Sequence, residues 1–241
     1  MNLLSEVEVL ADAQGVAYEA ASWIAERLHR TPERELTVCL TGGNTVRLLY
    51  RVLAATPFSD TLPWHRIHWF WTDERFVPQG SERSNSGMAR KLLLKDVNAS
   101  LIHAIPTDTS MASDAAADYE HALKKHYGAS VLAPDRNLFD LTLLGVGDDG
   151  HIASLFPESE ALNERNRWVV PVHCHGAETR VSLTYSTLES SDHVLFLVTG
   201  SGKRRIMQAI TNGADLPVTR FRPRGVVQWF LDRDAAPEGL L

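Results

Sequence analysis

The sequence predicts an α/β protein, a mostly parallel, doubly wound sheet with helices on both faces. Three features of the chain predict it. Short apolar runs such as LTVCL at 36–40 and LTLLGV at 141–146 lack the length and the polar face of a helix and read as buried strands. Between such runs, apolar residues recur at helical spacing, and glycine turns join strand to helix. No internal repeat, low-complexity tract or long linker interrupts the alternation, so residues 1–241 are expected to form a single domain.

From about Asp12 to His29, Val16, Ala20, Trp23, Ile24, Ala25 and Leu28 mark an amphipathic helix, which Thr31-Pro32 stops. Leu36 to Leu40 is a strand, and Thr41-Gly42-Gly43-Asn44-Thr45 turns it into a second helix through Val46, Leu49, Tyr50 and Leu53. Arg66 to Trp71 is the next strand, with a helix from about Ser86 to Leu94 after the polar SERSN. A helix over about Ala112 to Tyr127 precedes the strand that starts at Leu138. Trp168 to Val172, Arg180 to Thr184, His193 to Thr199 and Val226 to Leu231 are further strands, with a helix from about Lys203 to Ile210. The stretch from Glu158 to Arg180 is the least regular, and a small excursion from the main sheet is expected there.

A net charge of -6 with scattered Lys and Arg argues against a nucleic-acid partner. The amino-terminal MNLLSEVEVLADAQ lacks a signal peptide's basic start, and no run approaches the ~20 apolar residues of a membrane span. Cys39 and Cys174 each lie in an apolar run and read as core residues, not as a disulfide framework. A soluble cytoplasmic protein is expected, working as a monomer on a small molecule.

Chemistry concentrates at the carboxyl ends of the strands, where open α/β sheets bind ligands. After the Leu138 strand, Gly145, Gly147 and Gly150 let the chain turn sharply, and Asp148, Asp149 and His151 emerge as a proton-transfer group; an ordinary Asp-Gly turn is the bland reading. The letters of GVGDDG also match a dinucleotide fingerprint, but two aspartates inside the loop repel a pyrophosphate and no acidic residue ends the next strand. Thr41-Gly42-Gly43-Asn44-Thr45 offers glycine backbone, hydroxyl and amide donors and a helix N-terminus to a phosphate. Lys203 follows Thr199-Gly200-Ser201-Gly202; Leu197 and Arg204 stand where a P-loop needs Gly and Ser or Thr. A cation at a helix N-terminus is misplaced unless an anion sits with it. Arg180 opens a strand and has the fork to grip a phosphate, while Asp73-Glu74-Arg75 reads equally as a third set of site groups or as a structural ion pair. His173-Cys174-His175 places two imidazoles on one strand face, but no third or fourth ligand accompanies them, so no metal is expected.

Across almost the whole chain these residues resemble the 6-phosphogluconolactonase family. The resemblance rests on TGGNT at 41–45, WTDERFVP at 71–78 with RSN at 83–85, LLGVGDDGHIASLFP at 143–157, and RVSLT at 180–184 with LVTGSGK at 197–203. It implies a modified doubly wound, Rossmann-like sheet shared with the glucosamine-6-phosphate deaminases. The ASLFP ending after His151, in place of the deaminases' FNEP-like continuation, resembles the lactonase branch, as does DERFVP at 73–78, where deaminases carry a Tyr after Asp-Glu. Val46 departs from the family's usual proline after the phosphate loop. Residue by residue, the resemblance implies that His151 is the acid/base, that Asp149 and Asp73 line its pocket, and that Arg75 contacts substrate oxygens or phosphate. Gly42, Gly43, Asn44, Arg180 and Lys203 would hold the phosphate, with neither metal nor organic cofactor. The implied reaction is hydrolysis of 6-phospho-D-glucono-1,5-lactone, the second step of the oxidative pentose phosphate route. The residues leave open whether Asp148 or Asp149 faces the imidazole. The alternatives are a glucosamine-6-phosphate deaminase/isomerase, revealed by ammonia release, and a non-catalytic sugar-phosphate sensor, revealed by binding without turnover.

Overall fold

The computed structural model describes residues 4, 6–29, 34–173 and 178–240. In chain order the elements are β1 (Val7–Leu10), α1 (Ala13–His29), β2 (Leu36–Leu40), α2 (Asn44–Leu53), α3 (Phe58–Thr61), β3 (Ile67–Trp71), β4 (Asp73–Arg75), α4 (Asn85–Ala89) and β5 (Leu101–Ile102). There follow α5 (Ala112–Tyr127), β6 (Phe139–Leu144), β7 (Val169–Val172), β8 (Arg180–Leu183), α6 (Tyr185–Leu188), β9 (Ser191–Val198), α7 (Arg204–Thr211), α8 (Pro217–Arg220) and β10 (Val226–Asp232).

Seven strands form one sheet in the order β1-β10-β9-β6-β2-β3-β5, and every neighbouring pair is parallel. The strands are apolar because helices cover them: all five residues of β2 are buried, as are the last five of β9 and six of the seven in β10. Across the β9–β10 ladder Phe196 pairs with Trp229, and their rings stack at 3.9 Å, a contact of about 0.5–1.5 kcal/mol beyond simple burial. Helix α1 buries Val16, Ala20, Trp23, Ile24 and Leu28, the spaced positions that define its apolar face. The strand order reverses at β2, which has β3 on one side and β6 on the other. That switch point opens a crevice between the turns that follow β2 and β6.

The fold expected from the sequence is present, with one correction. The strands at 169–172 and 180–183 are not members of the parallel sheet; β7 and β8 run antiparallel, and with β4 they form a separate three-stranded sheet. The physical reason is the short connection from 173 to 179, because a parallel return needs a crossover of about a dozen residues or more. This sheet is anchored on α5, where Glu120 Oε2 accepts the N–H groups of Trp168 and Val169 at 2.8 and 3.2 Å. The helix expected from Ser86 begins at Asn85 under Ser84, whose hydroxyl caps Gly87 N–H at 2.9 Å, and continues through Arg90–Leu94 as a π-helical turn.

Between β3 and β4 lies the single residue Thr72. Its N–H donates to Leu40 O at 2.8 Å in the large sheet and its carbonyl accepts from Leu183 N–H at 2.9 Å in the small one. Cys39 is fully buried, as expected; Cys174 and the Thr31-Pro32 helix stop lie outside the described residues. Among the described residues no helix is long and apolar enough to cross a membrane.

Candidate active site

The crevice is a cleft of about 490 Å³ at the carboxyl ends of the central strands. Its first wall is the turn after β6. Gly147 N–H donates to His151 O at 2.9 Å, Gly150 N–H to Gly147 O at 3.0 Å, and Val218 N–H to Gly150 O at 3.0 Å, which fixes a tight loop against α8. The turn presents His151, whose Nδ1 lies 2.6 Å from Asp149 Oδ1, while the same oxygen accepts the His151 backbone N–H at 3.1 Å. A carboxylate only accepts, so Nδ1 donates and Nε2 is left to take a proton. Burial pushes the Asp149 carboxyl up, but the hydrogen bonds and the nearby charge of His151 outweigh it and hold Asp149 below the usual carboxylate range. The imidazole packs on Phe156 at 4.4 Å between ring centres. Glycine at 147 lets the imidazole sit where it does, because a Cβ there would overlap His151 Nδ1 and Cε1.

The two aspartates have different partners. Asp149 stands behind the imidazole and not on the cleft surface, whereas Asp148 lines the cleft and bonds Lys203 Nζ at 2.6 Å. Lys203 also donates to Val146 O at 2.8 Å. The anion that a cation at the start of α7 calls for is thus supplied, in the protein itself, by Asp148.

The opposite wall comes from the small sheet. Asp73 is 4% exposed; its Oδ2 accepts Ser154 Oγ–H at 2.6 Å and lies 3.7 Å from Arg180 Nη1. Arg180 stands directly across the ladder from Arg75, so two cations face the cleft side by side, an arrangement that favours an anionic ligand. Arg75 Nη1 donates to Arg83 O at 2.7 Å, and the Arg180 guanidinium lies 5.6 Å from the Phe156 ring centre. Strand alternation turns Glu74 the other way, into a buried nest where it accepts the N–H groups of Arg75, Asn85 and Ser86 at 2.9, 2.7 and 2.8 Å. Burial raises its pKa and those N–H groups only partly offset the rise.

The floor is the Thr41–Thr45 turn. Gly43 stands at the N-cap of α2 with no side-chain cap bond, which leaves the N–H groups of the first helical turn to an anion. Gly42 is dictated by close approach, since a Cβ there would overlap the Asn85 amide. Asn85, whose Oδ1 is buried without a hydrogen-bond partner, lines the cleft, as does Thr199, whose hydroxyl meets that of Thr45 at 3.1 Å. Neither residue was singled out from the sequence as a site group. For Asn85 the available signal was its place in the RSN motif; for Thr199 it was its position at the end of β9.

Of the expected site residues, His151, Asp73, Arg75, Gly42, Gly43, Asn44, Arg180 and Lys203 all line this one cleft, with Asp149 immediately behind His151. Among the described residues no group of three or more His, Cys, Asp and Glu has a metal-holding arrangement. His173 is exposed, with Nδ1 3.3 Å from Thr179 Oγ1, and Cys174 and His175 lie outside the described residues.

A family model described as glucosamine-6-phosphate isomerases/6-phosphogluconolactonase matches residues 11–229. The chain belongs to this isomerase/lactonase family. It is 36% identical to a 6-phosphogluconolactonase of a Nostoc species, over 96% of this chain and 97% of that one. It is 32% identical to a 6-phosphogluconolactonase of Aggregatibacter actinomycetemcomitans, over 83% of this chain and 85% of that one. Among solved structures, the 6-phosphogluconolactonase of Trypanosoma cruzi superposes with a TM-score of 0.85 at 28% identity, covering 98% of this chain and 97% of that one. A monomeric glucosamine-6-phosphate deaminase superposes with a TM-score of 0.79 at 18% identity, covering 98% and 100%, so the two branches of the family share this fold.

Proposed function

We propose that this chain hydrolyses 6-phospho-D-glucono-1,5-lactone to 6-phospho-D-gluconate, the lactonase step of the oxidative pentose phosphate route. The observation that carries the reading is the pairing of His151 with Asp149 on one wall of a cleft whose other surfaces hold Arg75, Arg180, Lys203 and the open start of α2. His151 Nε2 takes a proton from water as its oxygen attacks C1. The tetrahedral intermediate then collapses, the C1–ring-oxygen bond breaks, and the imidazolium returns the proton to the ring oxygen. Asp149, ionised at neutral pH, keeps Nδ1 protonated and stabilises the imidazolium.

The substrate's phosphate is held by Gly42, Gly43 and Asn44 at the start of α2 together with Arg180 and Lys203, while Arg75 bonds substrate oxygens and Asp73 keeps Arg180 in place. A δ-lactone is reactive enough for general-base help of about 10²–10⁴-fold, plus anchoring through the phosphate, to suffice without a covalent nucleophile. Neither metal nor organic cofactor enters the scheme. Residues 1–241 act as one domain, as a monomer in the cytoplasm; sedimentation at working concentration tests the monomer.

The experiment is acid release from freshly generated lactone, followed above its spontaneous decay, with the wild type and His151→Ala. Turnover by wild type and its loss in the variant are expected. An equally active His151→Ala overturns the assignment, and ammonia release from glucosamine 6-phosphate would move the chain to the deaminase branch.

A further inference from the structure

We infer that Asp148 competes with the substrate's phosphate for Lys203 and so sets an upper limit on how tightly the cleft holds a phosphorylated ligand. The inference rests on the proposed role of Lys203 as a phosphate holder. An ammonium has three N–H donors. Lys203 directs one to Val146 O at 2.8 Å and one to Asp148 Oδ1 at 2.6 Å, which leaves a single donor for a ligand. A phosphate taking that donor lies against the Asp148 carboxylate, and the two anions repel; alternatively Asp148 leaves and its bond to Lys203 is lost. Both routes weaken phosphate binding.

The geometry favours departure of the carboxylate. The Asp148 side chain is 82% exposed, whereas that of Lys203 is 27% exposed. Asp148 also lines a second pocket together with Arg205, so the carboxylate has a neighbouring cation to turn to. Lys203 stays in place without it, because Val146 O belongs to the turn that carries His151 and holds the ammonium on the cleft wall. Asp148 is therefore a competitor and not a positioner of the lysine. Lactone and open-chain product carry the same phosphate, so the competition weakens both equally, and its benefit lies in releasing a product that has gained a carboxylate.

The test is calorimetric titration of 6-phosphogluconate at low ionic strength into wild type, Asp148→Asn, Lys203→Met and the double variant. Asp148→Asn is expected to bind about three- to fivefold more tightly, the range of an exposed ion pair. Lys203→Met is expected to bind more weakly, and Asp148→Asn to give no gain in the Lys203→Met background. Three results overturn the inference. Unchanged or weaker binding by Asp148→Asn, with Lys203→Met still weakened, rejects the competition and leaves the phosphate site standing. A gain that persists in the double variant means general repulsion without Lys203. Binding unaffected by Lys203→Met removes Lys203 from the phosphate site, and the inference with it.

Discussion

The protein gathers histidines at both ends of its parallel sheet and puts them in opposite circumstances. At the carboxyl end His151 stands alone on a cleft wall, backed by an ionised carboxylate at 2.6 Å. At the amino end His68, His103 and His126 cluster around Phe70, with His68 Nδ1 2.9 Å from His103 Nε2 and the His68 and His126 rings 4.4 Å apart. Glu35 Oε2 accepts from His68 Nε2 at 2.9 Å. Burial and the neighbouring imidazoles lower the pKa of His103 and push that of His126 down to about 4. His151 keeps a carboxylate on an open cleft wall, whereas burial among rings disfavours the charged forms of His103 and His126.

Four measurements break or sharpen that contrast. The largest effect is expected for His151→Ala, a loss of about 10²–10⁴-fold in kcat with an unchanged thermal midpoint. The complementary His126→Gln should leave kcat at the wild-type value, and a catalytic defect there would erase the distinction between the two ends. Next, Gly147→Ala forces the imidazole off Asp149 and should cost about 10²-fold in kcat/KM, with folded-state circular dichroism preserved.

The third measurement is stability against pH. The unfolded chain protonates His103 and His126 near pH 6.5, whereas the folded chain resists until a lower pH, so the unfolded state binds more protons in between. Stability should therefore be fully present above about pH 6.5 and decline towards pH 4. The loss should be about 1–2 kcal/mol from His126, kept small by partial solvent access, and denaturant midpoints at pH 7 and 5 measure it. A flat profile would remove the amino-end cluster from the stability account. Smallest, Thr37→Val removes the hydroxyl 2.8 Å from His126 Nε2 and should cost about 1 kcal/mol at pH 7, read from the same midpoints.

The sequence made the catalytic end far more legible than the amino end. Glycines, hydroxyls and charged residues directly after apolar runs mark strand ends, and the parallel sheet does the rest by bringing residues 41–45, 73–75, 145–151 and 203 to one edge. The imidazole cluster leaves no such mark, because His68 in β3, His103 just after β5 and His126 in α5 have unrelated spacing and meet only through strand register and the packing of α5. Asn85 carried only the RSN motif as a mark, since its place depends on Glu74 folding the loop after β4 around a buried carboxylate. The antiparallel pairing of β7 and β8 was readable in the short connection between them, and the choice between Asp148 and Asp149 was not, because it turns on side-chain directions within one tight turn.

Thr72 carries a final consequence. Its backbone fastens the large sheet to the small one, and its hydroxyl donates to Thr41 Oγ1 at 3.1 Å, so the wall bearing Arg75 and the floor at the start of α2 are riveted through one residue. Such a base has no hinge. The recognition surface there is preformed, and a hexose phosphate meets donors already in position, with the entropy of arranging them spent when the chain folded.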